Sequence, residues 1–403
     1  MPVTTTLSRQ APTAGTLVPE CRMCGIAYPS GFVARCELCN GATDVFYRLD
    51  RAVIGDFDVD PLNRYRDLLP IVDRDNLVWA GEGDTPLVHA LELGGRYGLR
   101  RLYLKVEGSN PTGSAKDRMA AVALPFLRER GVGEFTVSST GNSSTSFGVR
   151  AALFPDLRLH IFCGASFHHR LNFPDQPNVT VYTVDGSFVQ AGKCAQEYAA
   201  RRGLPFEAGF FNLARREGLK LAYLEAVDQM PVAPAVVIQA ISSGMGIYGA
   251  YKGFREYLAL GRLPRLPRIV CAQQLSCAPM YQGWKDGVAR LDASYRIAEP
   301  RGLAQAILRG DSSGTYPYLH RIVTSVDGFF TAIAEDEIVE AVAEAKDLEG
   351  LDICCASAVA LASAKQLAAQ GRVDRDEPVL VNLTGTDRSG GLVPTAIRYE
   401  DVR

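Results

Sequence analysis

Short apolar runs alternate with longer stretches of helical periodicity along most of this chain. Residues 135–138, 159–162, 179–182, 236–238 and 379–381 are compact apolar runs that read as buried strands. Between them, 191–200, 219–230 and 337–348 repeat apolar residues at the spacing of one helical face. Alternation of this kind predicts an α/β fold built on a mostly parallel sheet. Glu335, Asp336 and Glu337 put negative charge where the last of those helices should begin, matching the positive end of its dipole. No internal repeat interrupts the pattern. The tail at 1–18 is rich in Thr, Pro and Ala, and a disordered segment is expected over 1–20.

A length of 403 residues allows two or three domains, and a hydrophobic content of 47% supports a sizeable core. The net charge of −2 offers no broad electrostatic footprint for nucleic acid. Residues 1–20 hold no apolar stretch long enough for a secretory signal, and no later run is uniform enough to span a bilayer. A cytoplasmic protein with no membrane or nucleic-acid partner is the expectation. Ten cysteines suit that setting if four bind metal and the others stay reduced. The four are Cys21 and Cys24, then Cys36 and Cys39, two Cys-x2-Cys knuckles with eleven residues between them. This spacing predicts a structural zinc held tetrahedrally by protein thiolates alone. Few aromatic or basic residues cluster there, which disfavours a nucleic-acid module built on the ribbon.

Candidate chemistry concentrates in the turns that join strands to helices. Gly108-Ser109-Asn110-Pro111-Thr112-Gly113-Ser114-Ala115-Lys116 leads from the apolar run at 102–104 into a helix-like run at 119–127. It presents Lys116 at a helix N-terminus, where the dipole favours the neutral amine. The neutral amine is the form that condenses with an aldehyde, although a solvated lysine in a polar turn fits these residues alone equally well. A second turn, Ser138-Ser139-Thr140-Gly141-Asn142-Ser143-Ser144, offers backbone N–H groups and the hydroxyls of Ser139, Thr140 and Ser143 to an anion. A third, Ser243-Gly244-Met245-Gly246, lets the backbone approach a phosphate, and it lacks the Gly-Lys-Ser/Thr ending of a nucleotide loop. Residues 212–220 carry enough charge to read by composition as a solvated helix face.

Taken together, these words resemble the threonine synthase family of fold-type II pyridoxal-phosphate (PLP) enzymes. The resemblance rests on Asn110 to Arg118, Ser139 to Asn142, Asn212 to Lys220, Thr384-Gly385 and Gly81-Glu82-Gly83-Asp84-Thr85-Pro86-Leu87, and zinc ribbons also precede long-form members. It implies a tryptophan synthase β-like fold of two doubly wound α/β domains with the cofactor in the cleft. The large domain would be 49–118 with 206–403, the smaller one 119–205, and the ribbon 21–48. By the same resemblance, Lys116 is the PLP lysine and Asn142 meets the phenolic oxygen of the cofactor. Ser243, Gly244, Met245 and Gly246 hold its phosphate, and Thr384 meets the pyridine nitrogen. Asn212 and Arg215 hold the substrate phosphate, and Ser139, Thr140 and Ser143 also bind the substrate.

The implied reaction converts O-phosphohomoserine and water to threonine and phosphate. Several words depart from the family. Ala115 stands where phenylalanine is usual, Cys354-Cys355 replaces a Glu-Pro pair, and Thr386-Asp387-Arg388 replaces His-Gly-Leu. Segments 212–218, 239–246 and 348–352 also resemble cysteate synthase, which replaces the phosphate of O-phosphoserine with sulfite. A β-replacement enzyme of that kind stays open. So does a noncatalytic binder of a phosphorylated ligand, although such a protein has no need of Lys116. A homodimer is also left open.

Overall fold

The apolar runs at 236–240 and 379–383 are buried at every position, so each of these strands needs cover on both faces. A computed structural model, which describes residues 17–139, 141–186, 188–388 and 391–402, supplies that cover. The strands in chain order are β1 (Glu20–Cys21), β2 (Thr43–Asp44), β3 (Leu87–His89), β4 (Leu102–Val106), β5 (Glu134–Ser138), β6 (Arg158–Gly164), β7 (Val179–Val184), β8 (Val236–Ala240), β9 (Arg268–Gln274), β10 (Phe329–Ile333), β11 (Val379–Leu383) and β12 (Ala396–Arg398). The helices are α1 (Pro61–Arg64), α2 (Leu91–Tyr97), α3 (Lys116–Glu129), α4 (Asn142–Ala151), α5 (Phe188–Arg202), α6 (Leu213–Gln229), α7 (Met245–Ala259), α8 (Pro279–Lys285), α9 (Tyr316–Ser325), α10 (Glu335–Glu349) and α11 (Cys355–Ala369). Most of the tail expected to be disordered, residues 1–16, lies outside the described residues.

Two sheets carry the fold. The larger has the order β10-β9-β8-β11-β4-β3, parallel except for the edge strand β3. The smaller has the order β12-β7-β6-β5 and is parallel throughout. Its last strand comes from the chain end, so residues 396–398 return to the smaller sheet, a pairing that no sequence word announced. Side chains alternate across the large sheet. Val237, Ile269 and Leu380 enter one core cluster, while Val236, Val270 and Val379 enter the other. No helix among the described residues is long and apolar enough to cross a membrane.

The helix read as a solvated charged face is the most buried helix of the large unit. In α6, Arg215, Arg216, Glu217, Lys220 and Glu225 are all buried. The composition rule fails here because α6 lies between α3 and α7, and each charge has a partner. Lys220 Nζ donates to Glu217 and to Glu256 Oε2 at 2.8 Å, and Arg216 donates to the Thr43 carbonyl of the ribbon. At Gly218 the backbones of α3 and α6 approach so closely that a Cβ would collide with the Arg118 carbonyl.

A second buried network sits where α3 begins. Arg118 donates to Glu225 at 2.8 and 3.0 Å and to Glu107 at 2.8 and 2.9 Å. Lys105 joins Glu225 from β4, and Glu225 also accepts from the N–H groups of Asp84 and Thr85 at 2.9 and 3.0 Å. Burial alone would raise the Glu225 carboxyl, but Arg118 and then Lys105 hold it well below the usual carboxylate range. Its stabilising contribution is therefore present at neutral pH and is lost only as pH falls below that range. Glu225→Ala leaves two buried cations without their shared partner, at a cost of about 3–5 kcal/mol. Urea unfolding monitored by tryptophan fluorescence should show a correspondingly lower midpoint; an unchanged midpoint would remove the network from its anchoring role.

Candidate active site

Lys116 is the first residue of α3, at the junction the sequence predicts. The turn before it is closed by Asp117, which accepts from the Thr112 N–H and hydroxyl, each at 2.6 Å. The same turn is stitched to the segment after β11. Ala115 N–H donates to the Thr384 carbonyl at 3.0 Å, and Thr386 N–H donates to the Gly113 carbonyl at 3.0 Å. Lys116 and Thr384 are thus brought together by backbone hydrogen bonds, although 268 positions separate them in the chain (384 − 116). Ser357, in the first turn of α11, braces this contact by donating to the Gly385 carbonyl at 2.7 Å and accepting from its N–H at 3.1 Å.

The lysine is half-buried, and its amine is drawn down to about 8. Burial is the first cause, and the nearby positive charge of Arg215 is the second. Cys354 and Glu107 oppose the shift, and Arg388 adds to it. The helix dipole expected from sequence points the same way, but desolvation leads.

Asn142 opens α4, and its Oδ1 accepts from Arg388 Nη2. Ser139 Oγ accepts from the Gly141 N–H at 3.2 Å, and Ser143 Oγ lies 3.8 Å from Met119 Sδ. Thr140, the remaining member of that set, lies outside the described residues. Gly244 precedes α7 with a φ of +81°, and no side chain caps the helix behind it. The first-turn N–H groups of this 15-residue helix, at Met245 and Gly246, sit beside the buried Ser243 and form a ready anion cradle. Thr384 is half-buried immediately beyond β11.

Asn212 and Arg215 are committed elsewhere. Asn212 caps α6 by accepting from the Ala214 N–H at 3.0 Å and donates to Glu207 at 2.8 Å. Arg215 donates Nε and Nη2 to the two oxygens of the same buried carboxylate and stacks 4.8 Å over the Phe147 ring. Glu207 carried no signal in the sequence. Arg170, Arg388, Cys354 and Ser357 also border the site without having been singled out for it. Arg388 and Cys354 were visible only as departures from the family pattern. His168 Nε2 bonds the Pro394 carbonyl at 2.8 Å.

The four ribbon cysteines meet as their spacing predicts. Cys21 and Cys39 sulfurs lie 3.3 Å apart, Cys24 and Cys36 3.5 Å, and all four lie within 4.8 Å of one another. Four converging sulfurs could hold one zinc with every position filled by protein. Tyr28 donates its hydroxyl to Cys36 Sγ at 3.2 Å, an outer contact that fixes a ligand. Lys252 ties the ribbon to the enzyme body through Asp44 at 2.8 Å and the Val45 carbonyl at 2.7 Å. Elemental analysis after gel filtration should find about one zinc per chain. Cys36→Ser should lose it and make the ribbon the first segment cut in limited proteolysis; retained zinc would count against these ligands.

The family described as pyridoxal-phosphate dependent enzyme matches residues 78–385. The threonine synthase of Methanocaldococcus jannaschii is 28% identical over 393 residues, covering 92% of each chain. The cysteate synthase of Methanosarcina barkeri is also 28% identical over 393 residues, again covering 92% of each. The threonine synthase of Mycobacterium leprae is 31% identical over 327 residues, covering 80% of this chain and 86% of its own. Among solved structures, maize serine racemase superposes with a TM-score of 0.62 at 17% identity, covering 76% of this chain and 88% of that one. The processed form of threonine deaminase isoform 2 from Solanum lycopersicum gives 0.62 at 18% identity, covering 84% and 92%. These structural likenesses establish the fold-type II architecture. The matched region contains the large sheet's parallel core, Lys116 and the turn at Thr384, and the chain belongs to the pyridoxal-phosphate dependent enzymes.

Proposed function

We propose that this enzyme eliminates or replaces phosphate on an O-phosphorylated amino acid, in the first reading converting O-phosphohomoserine and water to threonine and phosphate. The observation that carries the reading is the head of α3, where an amine drawn to about 8 faces the cleft beside the Thr384 turn. The relatives named threonine synthase and cysteate synthase support the substrate class.

The donor set fits pyridoxal phosphate. The uncapped N-terminus of α7, with Ser243, Gly244, Met245 and Gly246, suits its phosphate. Thr384 offers the ring nitrogen a neutral hydroxyl in place of a carboxylate, which favours elimination over transamination. Asn142 has its Oδ1 taken by Arg388, so its Nδ2 is left to donate to the phenolic oxygen. When bound, the cofactor supplies the electron sink for negative charge at the substrate α-carbon.

Lys116 Nζ holds the cofactor at rest and then carries the α-proton. A pKa near 8 lets it exist in both protonation states close to neutrality. Ser139, Thr140, Ser143 and the turn around them suit the substrate carboxylate. Arg215, held in place by Glu207, contributes a fixed positive charge beside the lysine rather than a free hand for phosphate.

A second reading is β-replacement on O-phosphoserine by sulfite or another nucleophile. The Methanosarcina barkeri cysteate synthase matches over the same share of the chain as the archaeal threonine synthase, which favours keeping it.

Phosphate release should be measured with O-phosphohomoserine and O-phosphoserine, each with and without sulfite. Release from the first without sulfite supports the first reading, and sulfite-dependent release from the second supports the alternative. No release from either would sink both. Lys116→Ala should lower turnover by at least about a thousand-fold. Borohydride treatment of the wild type should fix the cofactor on the Lys116 peptide, and fixation elsewhere would overturn the assignment.

In the cofactor-free protein, Lys116 is an ammonium below about 8 and a free amine above it. Its labelling by an amine-reactive aldehyde should therefore rise through pH 8, well below the range of an ordinary lysine. Half-labelling near about 10.4, the ordinary lysine value, would refute the depressed amine.

A further inference from the structure

Two arginines, one following a strand of each sheet, lie against the turns that lead to Asn142 and Lys116, and neither has yet been given a ligand. Arg170 ends the short helical turn Ala165–Arg170 that follows β6, and Arg388 lies beyond β11. Each has its Nη1 buried without a hydrogen-bond partner. Among the described residues neither guanidinium forms an ion pair, and the single side-chain bond between them is Arg388 Nη2 to Asn142. Most deeply placed cations of this protein are paired with carboxylates, although among the described residues Arg216 is bonded only to the carbonyls of Phe210 and Thr43. Arg118, Arg215, Lys105, Lys220 and Lys252 all have carboxylate partners.

The two groups surround the reactive end of the cleft. A Cβ added at Gly141, in the turn before Asn142, would lie 3.1 Å from the Arg170 Cβ. One added at Gly113, three residues before Lys116, would lie 3.3 Å from the Arg388 Cγ and Cδ. Both are pushed down from the ordinary arginine value with desolvation as the first cause; Arg170 adds to the shift at Arg388, and the nearby Asp387, Asp117 and Cys354 oppose the shifts only in part. The nearest carboxylates do not relieve this. Asp117 is occupied by two bonds from Thr112, and Asp387 is exposed. Desolvated guanidinium N–H groups without an acceptor are costly, and two like charges add mutual repulsion. A tetrahedral oxyanion offers an acceptor to each and cancels both charges.

We propose that Arg170 and Arg388 together form the subsite for the departing phosphate of the substrate, the role that Arg215 is prevented from taking by Glu207. A dianion matches two guanidinium groups, whereas the monoanionic α-carboxylate matches the hydroxyls and N–H groups of the 139–143 turn. The site for the cofactor phosphate, at the head of α7, is built from different residues. The identity of the anion rests on the reaction proposed above; the existence of an anion subsite does not.

The test uses the holoenzyme and inorganic phosphate as probe, with affinity measured by titration calorimetry. Arg170→Met and Arg388→Met should each weaken phosphate binding at least about ten-fold, with cofactor absorbance retained. Arg170→Lys and Arg388→Lys keep the charge but lose the fork, and serve if the methionine variants fail to fold. A loss of about three-fold or more in them supports the subsite, and unchanged affinity overturns it. Turnover separates the two proposals. If the wild type releases no phosphate from either phospho-amino acid yet both variants lose phosphate affinity, the reaction falls and the subsite stands. If phosphate is released and KM for the phosphorylated substrate is unaltered in both variants, the subsite falls and the reaction stands.

Discussion

The ion cluster of Arg118, Glu225, Glu107 and Lys105 is the constraint on which the site depends. It joins β4, the first turn of α3, the middle of α6 and the segment at 84–85 through bonds that are buried at both ends except at Asp84. Removing any one partner leaves a charge stranded in the protein interior, so the cluster tolerates no slippage among these four elements. Lys116 is two residues from Arg118 on the same helix. Its position in the cleft is set by a network that never touches the reaction.

This arrangement separates two electrical environments within a short distance. In the buried clusters around α6, Arg118, Lys105, Lys220 and Lys252 each have a carboxylate, and the charges neutralise one another. At the cleft floor, Lys116 faces Arg215 and Arg388, and the amine is drawn down to about 8. Glu207 accepts from two nitrogens of Arg215 and holds that guanidinium in place. A depressed lysine is thus made by burial first and by a carefully held arginine second, with the helix dipole pointing the same way.

The family words differ in what they turn out to do. Gly81-Glu82-Gly83-Asp84-Thr85 matched as a motif, and its Asp84 and Thr85 N–H groups are bonded to Glu225. Asn212, Arg215, Glu217 and Lys220 also matched as a motif, and each belongs to a buried cap or ion pair of α6. Motif residues far from a ligand can persist because they hold elements together. The ribbon is the reverse case. There, spacing alone picked out the four cysteines whose sulfurs converge, since a knuckle fixes the geometry of its own two cysteines.

Local order therefore set a good part of this protein without reference to the rest of the chain. Apolar runs at 135–138, 236–238 and 379–381 became strands, and the polar turn before Lys116 became a helix start, because period and turn chemistry act over a few residues. Strands β9 and β10 escaped notice; Arg268–Gln274 ends in two glutamines whose burial depends on neighbours distant in sequence. The solvated face assigned to α6 inverted for the same reason. Whether a charge is exposed or paired is decided by what packs against it, and Glu207 reaches Arg215, and Glu256 reaches Lys220, only in the folded chain. Composition and spacing determined which residues were available for chemistry. Only tertiary structure decided which of the cations were already neutralised and which, like Arg170 and Arg388, still face the cleft without a carboxylate, because Coulomb energy and desolvation depend on distances that the order of residues does not contain.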